Sequence, residues 1–407
     1  MGGEQRRALI IGGSMSGLFA ARKLLQDGWD VQVYERTPTE LSGRGAGIVT
    51  QPQVLETLSV LGVQATRDLG VDVSRRRTLD RDGRVIAETV RPQVATSWNR
   101  LFEVLRTGFP AGRYHLGKDL VALDQDGASV TARFADGSSA RGDLLIGADG
   151  FRSSVRQIFE PQVQPLYAGY VAWRGLVEEA LFPPQTHEDI FEYFAFGLPP
   201  EEQILGYPVA GDGNDARPGH RRYNFVWYRP ADEATDLPWL LTDETGHRHH
   251  VSIPPPLIAK TVIAEMRAHA EQVFAPQFRE VIRLTEQPFL QPIYDLETPR
   301  MAFGRVALIG DAAFVARPHV GAGTAKAADD AVYLAGALAG EPNVASAVKL
   351  FEAERLATGR RIVEQARHLG TYMKRVFATD AERARAERHR SPEAVMAETA
   401  LLDFLDG

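Results

Sequence analysis

The side chains able to carry chemistry in this chain are limited first by what is missing. There is no cysteine, so thiolate nucleophiles, disulfides, Cys-ligated zinc and iron–sulfur centres are excluded, and electron transfer would need a borrowed cofactor. His247, His249 and His250 crowd one polar stretch but lack the nearby carboxylates of a metal set, so no metal is expected. The run Gly12-Gly13-Ser14-Met15-Ser16-Gly17 carries more meaning. It matches a spaced-glycine nucleotide turn at its first and last glycines, with Ser14 in the middle slot. Small residues let the backbone approach a pyrophosphate, and the N-terminus of the following helix offers N–H donors to it. Glu35, eighteen residues after Gly17, falls at the end of the next strand, where a carboxylate can accept from both ribose hydroxyls. Glycines that merely make a tight turn are the competing reading.

Two later segments repeat the grammar of an apolar strand ending in Asp and Gly. Residues 143–156 read DLLIGADGFRSSVR and contain Asp149; residues 305–331 read RVALIGDAAFVARPHVGAGTAKAADDA and contain Asp311, Pro318, His319, Gly321, Ala322 and Gly323.

The elements that must position these residues follow from periodicity. Apolar 8–11, the small turn, and helical spacing of Leu18, Ala21, Leu24 and Leu25 give strand–turn–helix, and Val31 and Val33 give a second, parallel strand. Asp82-Gly83, Asp126-Gly127 and Asp136-Gly137 predict antiparallel hairpins. Between 157 and 298, proline pairs and short aromatic runs predict a separate sheet holding Tyr193, Tyr207 and Tyr228; each of these is core unless its phenol faces a ligand. In this sheet Trp173 should be buried and Arg174 ion-paired. An Ala-rich helix through Ala328, Val332 and Leu338 returns the chain to the first unit. The expected fold is α/β. A Rossmann-like nucleotide domain (1–156, resumed at 299–377) flanks a substrate-binding sheet domain (157–298), and a charged helical tail (378–407) follows.

Taken together and in order, the three motifs closely resemble the fingerprints of the FAD-dependent aromatic hydroxylases, the single-component flavoprotein monooxygenases. The segments LSGRGAGIVTQP (41–52), YAGYVAWRG (167–175) and ARPH (316–319) resemble the hydroxypyridine-hydroxylating branch. The resemblance implies FAD held by Gly12, Ser14, Met15, Ser16, Gly17, Glu35, Arg36, Arg44, Leu120 and Asp149, with Asp311 on the ribityl chain. Pro318, Gly321, Ala322 and Gly323 would lie beside the flavin ring, with Tyr193, Tyr207, Tyr228 and His319 toward substrate. Of these, His319 and Tyr207 are the candidate catalytic residues. A histidine at a helix N-terminus stays neutral and can take the proton of a ring hydroxyl; packing against the turn is its alternative role. The sequence departs from the family at Phe314, usually His, at Ala322 and Ala325, usually Gln and Asn, and at Trp98, often Arg.

The implied reaction uses NADH or NADPH as a transient donor, because no second spaced-glycine turn exists, and places one oxygen atom of O2 on a small electron-rich aromatic. A larger natural-product substrate, or a binding module that has lost its chemistry, are the alternatives. The net charge of −7 and pI near 5.9 argue against a nucleic-acid coat. No apolar run approaches the ~20 residues of a membrane span. Arg6-Arg7 before an apolar stretch imitates a twin-arginine signal, but the glycine turn explains the same residues better. A cytoplasmic homodimer is expected.

Overall fold

The computed structural model describes residues 5–41, 47–63, 69–373, 377 and 379–405. Strands Arg7–Ile11 and Asp30–Tyr34 pair in parallel across helix Met15–Gln26, because two parallel strands need a crossover and this amphipathic stretch buries Leu18, Phe19, Ala21 and Leu24 against them. Leu144–Gly147 pairs on the other side of the first strand, and Val306–Leu308 lies beyond it. Leu144-Leu145-Ile146-Gly147 is buried at every position, as a parallel strand covered on both faces requires. Tyr114–His115 and the antiparallel Ala302–Phe303 complete a six-stranded sheet. Helices Gly323–Gly340 and Val344–Leu369 contribute to the core around it.

Among the described residues the second sheet has nine strands. Phe289–Glu297, Leu166–Glu178, Arg222–Pro230, Gln203–Val209 and Phe194–Gly197 come from the expected stretch. The sheet does not stop there. Val71–Leu79 pairs in parallel with Phe194–Gly197, Val85–Ser97 and Gly47–Thr50 follow, and Phe314–Val315 closes the opposite edge. The hairpin at Asp82-Gly83 thus belongs to this sheet, whereas those at Asp126-Gly127 and Asp136-Gly137 build a separate three-stranded one. A turn motif fixes which strands are neighbours in sequence; which sheet they join is set by long-range pairing.

Because side chains alternate along a strand, the two faces of the large sheet divide the aromatic residues. Trp173, Tyr223, Phe225 and Trp227 face helices Lys260–Val273 and Pro276–Leu284. Tyr170, Ala172, Leu205, Tyr207, Val226 and Tyr228 face the other way. The C-terminal tail is two different things. Helix Asp380–Arg390 is mostly exposed, as its charge run predicts. Beyond it, helix Pro392–Glu398 packs on the sheet, and the fully buried Arg76 guanidinium donates to the carbonyls of Met396 (2.6 Å) and Thr399 (2.8 Å).

Candidate functional site

The glycine turn and Glu35 shape a cavity of about 220 Å³ at the C-terminal ends of the parallel strands, lined by Gly12, Ser14, Glu35, Arg36, Leu120 and Asp149. Gly12 has φ +104°, and a Cβ there would stand 2.3 Å from the Ala148 carbonyl oxygen, so nothing larger fits. The Gly13 N–H donates to Glu35 Oε2 at 2.9 Å, while Thr37 donates to Oε1 through its N–H (3.0 Å) and hydroxyl (2.8 Å). Glu35 therefore holds the turn together and retains acceptor capacity chiefly on Oε2, less than the two free acceptors its position suggested. Tyr114, which sequence reasoning passed over, donates its hydroxyl to the Gly13 carbonyl at 2.9 Å. Trp98 stands in the wall where the family often has Arg, stacked on Phe102 at 5.1 Å. Met15, Ser16 and Gly17 form the first helical turn beside this cavity and do not line it. Arg44 lies outside the described residues.

The Asp-Gly motifs are joined to one another. Asp149 caps helix Ser154–Phe159, accepting from the Ser153 hydroxyl (2.5 Å) and the N–H groups of Ser154 (2.7 Å) and Val155 (3.2 Å); burial pushes its carboxyl upward and these bonds pull it back. Arg156 donates to the carbonyls of Ala312 (2.9 Å) and Phe151 (2.7 Å), tying the second motif to the third. Gly310, at φ +58°, abuts Ser16 so closely that a Cβ would meet its Oγ at 2.0 Å. Behind it, buried Asp330 accepts from the Gly310 N–H (2.9 Å), from Lys326 (3.0 Å) and from Arg355 (2.9 Å), while Lys326 also donates to the Gly310 carbonyl (2.7 Å). This network fixes the turn that presents Asp311. Its signal in the sequence was a Lys four residues before an Asp on an otherwise Ala-rich helix.

Asp311 opens onto a second cavity of about 290 Å³, walled on one side by Pro318, Gly321, Ala322 and Gly323 and on the other by Tyr207, Tyr228 and Arg174. Surrounding protein pushes the Asp311 carboxyl upward; Lys326 acts against this and Asp330 with it. The helix Gly323–Gly340 starts at this wall with no acidic residue in its first turn, so its positive end faces the cavity. Burial raises the phenols of Tyr207 and Tyr228, the latter to about 12 with Arg174 opposing, so both are protonated hydrogen-bonding groups at neutral pH. Thr399 and Ala400 close one end, with Ala400 held by its N–H to the His319 carbonyl at 2.7 Å and by Gln51 donating to its carbonyl at 2.9 Å.

Two residues expected toward substrate do not line this cavity. Tyr193 packs against the helix-covered face of the sheet with the Arg77 guanidinium 3.6 Å over its ring, one residue out of phase with the cleft-lining Phe194. His319 is 2 % exposed and sits behind the wall, its Nε2 hydrogen-bonded to the Tyr170 hydroxyl at 2.9 Å and its ring 4.0 Å from that of Tyr228. Burial, then Arg317 and Arg174, drive it down to about 3, so it is neutral as expected; that same shift, with its Nε2 already engaged, leaves it a poor base for a substrate hydroxyl. Phe314, in place of the usual His, is buried against Gly359 and the Lys326 ammonium.

The donor set fits FAD: a glycine turn and carboxylate at one cavity, an Asp turn and a helix N-terminus at the other, with the segments beside the two cavities in contact through Gly310 and Ser16. A family model described as FAD binding domain-like matches residues 167–295. The chain is 35% identical over 370 residues to 2,6-dihydroxypyridine 3-monooxygenase of Paenarthrobacter nicotinovorans, covering 90% of this chain and 91% of that one. It is 29% identical to salicylate hydroxylase of Pseudomonas putida, over 80% and 75% of the two chains. Among solved structures it matches 2,6-dihydroxypyridine-3-hydroxylase from Arthrobacter nicotinovorans with a TM-score of 0.85 at 32% identity, over 94% and 96% of the chains. It matches Klebsiella pneumoniae HpxO complexed with FAD and uric acid with a TM-score of 0.73 at 25% identity, over 97% of each. The α/β architecture, the FAD cofactor and the monooxygenase chemistry agree with the sequence reading, and the chain belongs to the FAD-dependent aromatic hydroxylases.

Proposed function

We propose that this enzyme hydroxylates a small, electron-rich aromatic of the hydroxypyridine or phenol type, with NADH or NADPH as a transient donor. The observation that carries the reading is the second cavity: about 290 Å³ between a helix N-terminus and a sheet face bearing two protonated phenols. The closure of that cavity by Thr399 and Ala400 favours a small ring over a large natural product. Similarity to relatives named for hydroxypyridine and salicylate supports the same class.

Bound FAD supplies electron storage and the activation of O2. The protein would hold its adenosine end at Gly12, Ser14, Glu35, Arg36 and Leu120, and its other end at Asp311 and the N–H groups from Gly321 to Gly323. Asp149 acts by keeping the second motif's turn in place. Tyr207 and Tyr228 orient the substrate ring, and the apolar sheet face excludes water. His319 braces Tyr170 and Tyr228 from behind. Among the described residues there is one parallel strand–helix–strand nucleotide unit, which supports a donor that visits and leaves. A cytoplasmic homodimer is carried over from the family resemblance as part of this proposal.

The test is nicotinamide oxidation with a panel of hydroxylated pyridines and phenols, scored together with hydroxylated product. Slow oxidation alone and fast, coupled oxidation with one class supports the reading. Equal rates with and without every compound break it.

A further inference from the structure

Three cationic side chains line the substrate cavity, and two are neutralised. Arg317 donates to Asp295 at 2.9 Å, and Lys326 to Asp330 at 3.0 Å. Arg174 has no carboxylate within ion-pair reach among the described residues, and its buried Nε has no hydrogen-bond partner there. The strand that buries Trp173 on one face turns Arg174 to the other, so the ion pair expected for this guanidinium does not form. Tyr228 lines the same wall, and the Arg174 charge opposes the burial that raises its phenol. Protonated at neutral pH, the Tyr228 hydroxyl can donate to a ligand in the cavity. A half-buried cation without a counter-ion is costly to maintain, and a bound anion removes that cost.

We propose that Arg174 is the seat of an anionic oxygen on the aromatic substrate, either an ionised ring oxygen or a ring carboxylate, with Tyr228 as its second donor. This rests on the small-aromatic reading above and deepens it. Planar and always charged, the guanidinium suits a conjugated oxyanion. For a ring oxygen the consequence is chemical: the proton is lost to solvent, the ring keeps the electron pair, and it becomes richer in electrons where oxygen is to be added. The other titratable groups around the seat are Tyr207, Tyr228, Tyr294, whose phenol burial raises, His319, Arg317, Lys326 and Asp311. Tyr207, Tyr228 and His319 are uncharged at neutral pH, Arg317 and Lys326 are already paired, and Asp311 belongs to the opposite wall.

The experiment uses the FAD-loaded enzyme and three probes: 4-nitrophenol, with a ring oxygen and no carboxylate; benzoate, with the reverse; and 4-nitroanisole, which cannot ionise. Difference spectra give the pH at which bound 4-nitrophenol ionises. In the wild type, ionisation about one pH unit or more below that of the free phenol is expected, since an opposite charge within contact lowers a pKa by ~1–3 units. Arg174→Met should abolish the shift and Arg174→Lys restore most of it, while 4-nitroanisole binds equally to all three. An Arg174-dependent affinity for benzoate without a nitrophenol shift assigns the seat to a ring carboxylate. If Arg174→Met retains its FAD spectrum and binds both anions as the wild type does, the proposal is overturned. Probe binding is read without turnover, so an enzyme that shows the shift yet never couples nicotinamide oxidation to product breaks the hydroxylase reading alone.

Discussion

The two cavities on this chain are built by opposite means. The one around Gly12 and Glu35 has its centre in a strand, a turn, a helix and a second strand that succeed one another within about 35 residues, and Trp98, 118–120 and 148–154 complete its wall. The one around Asp311 draws its walls from stretches scattered along the chain, among them 47–49, Arg174, 205–207, 226–228, 291–294, 311–326 and 399–400. A local pattern specifies the first. Only long-range pairing specifies the second. The first is therefore brittle toward single small substitutions, and the second toward changes of charge and shape.

The sharpest way to expose that difference is Gly12→Ala. The side chain would sit at φ +104° and collide with Ala148, so strain and overpacking together should cost roughly 2–4 kcal/mol and release FAD. Yellow colour and thermal stability report this, and a variant that keeps both would show that the turn has slack. Next is Glu35→Ala, which removes the acceptor from Gly13 and Thr37 and, on the proposed FAD placement, from the adenosine ribose. FAD retention on dialysis should weaken by ~1.5–3 kcal/mol, the range for hydrogen bonds to a charged group. Unchanged retention would mean that Glu35 serves the turn and not the nucleotide.

His319 tests the second cavity. Its folded pKa of about 3 lies below the ordinary ~6.5, so the unfolded chain takes up the proton first. The stability it lends is whole above about pH 6.5 and is lost as pH falls toward 3, on the order of a few kcal/mol at full extent. His319→Gln should flatten the fall of Tm between pH 7 and 4.5 and leave the pH profile of hydroxylation between 6 and 9 unchanged. A variant that loses a titration step in that activity profile would return His319 to the role of base.

These cases also mark what the sequence could say. The three strand-ending motifs, the parallel pair and the FAD cofactor were legible because each follows from a short pattern with a local physical cause. The nine-stranded sheet was not bounded correctly, since nothing within Val71–Leu79 announces that it will pair with Phe194–Gly197. His319 was legible as neutral but not as buried: a motif gives a position along the chain, whereas Tyr170 and Tyr228, which cover it, arrive from 149 and 91 residues away. Arg174 was visible as a letter, and the absence of a carboxylate beside it among the described residues was not.

The smallest effect separates two tyrosines that the sequence treated alike. Tyr193 and Tyr207 both lie in or beside strands of the same sheet, but Tyr193 points to the helix-packed face under Arg77 and Tyr207 to the cavity. Tyr193→Phe keeps the ring on which the guanidinium rests and deletes a hydroxyl remote from the cleft, so stability and kcat/KM should stay within about 0.5 kcal/mol of the wild type. Tyr207→Phe deletes a hydroxyl at the cavity wall and should cost ~0.5–1.5 kcal/mol in kcat/KM, the worth of one neutral hydrogen bond to the substrate. Measured side by side on the same aromatic, the pair reports which face of the sheet meets the ring. Equal losses would mean that the phase of the strand at Phe194 differs from that described, and a loss confined to Tyr193→Phe would place the substrate on the other side of the sheet altogether.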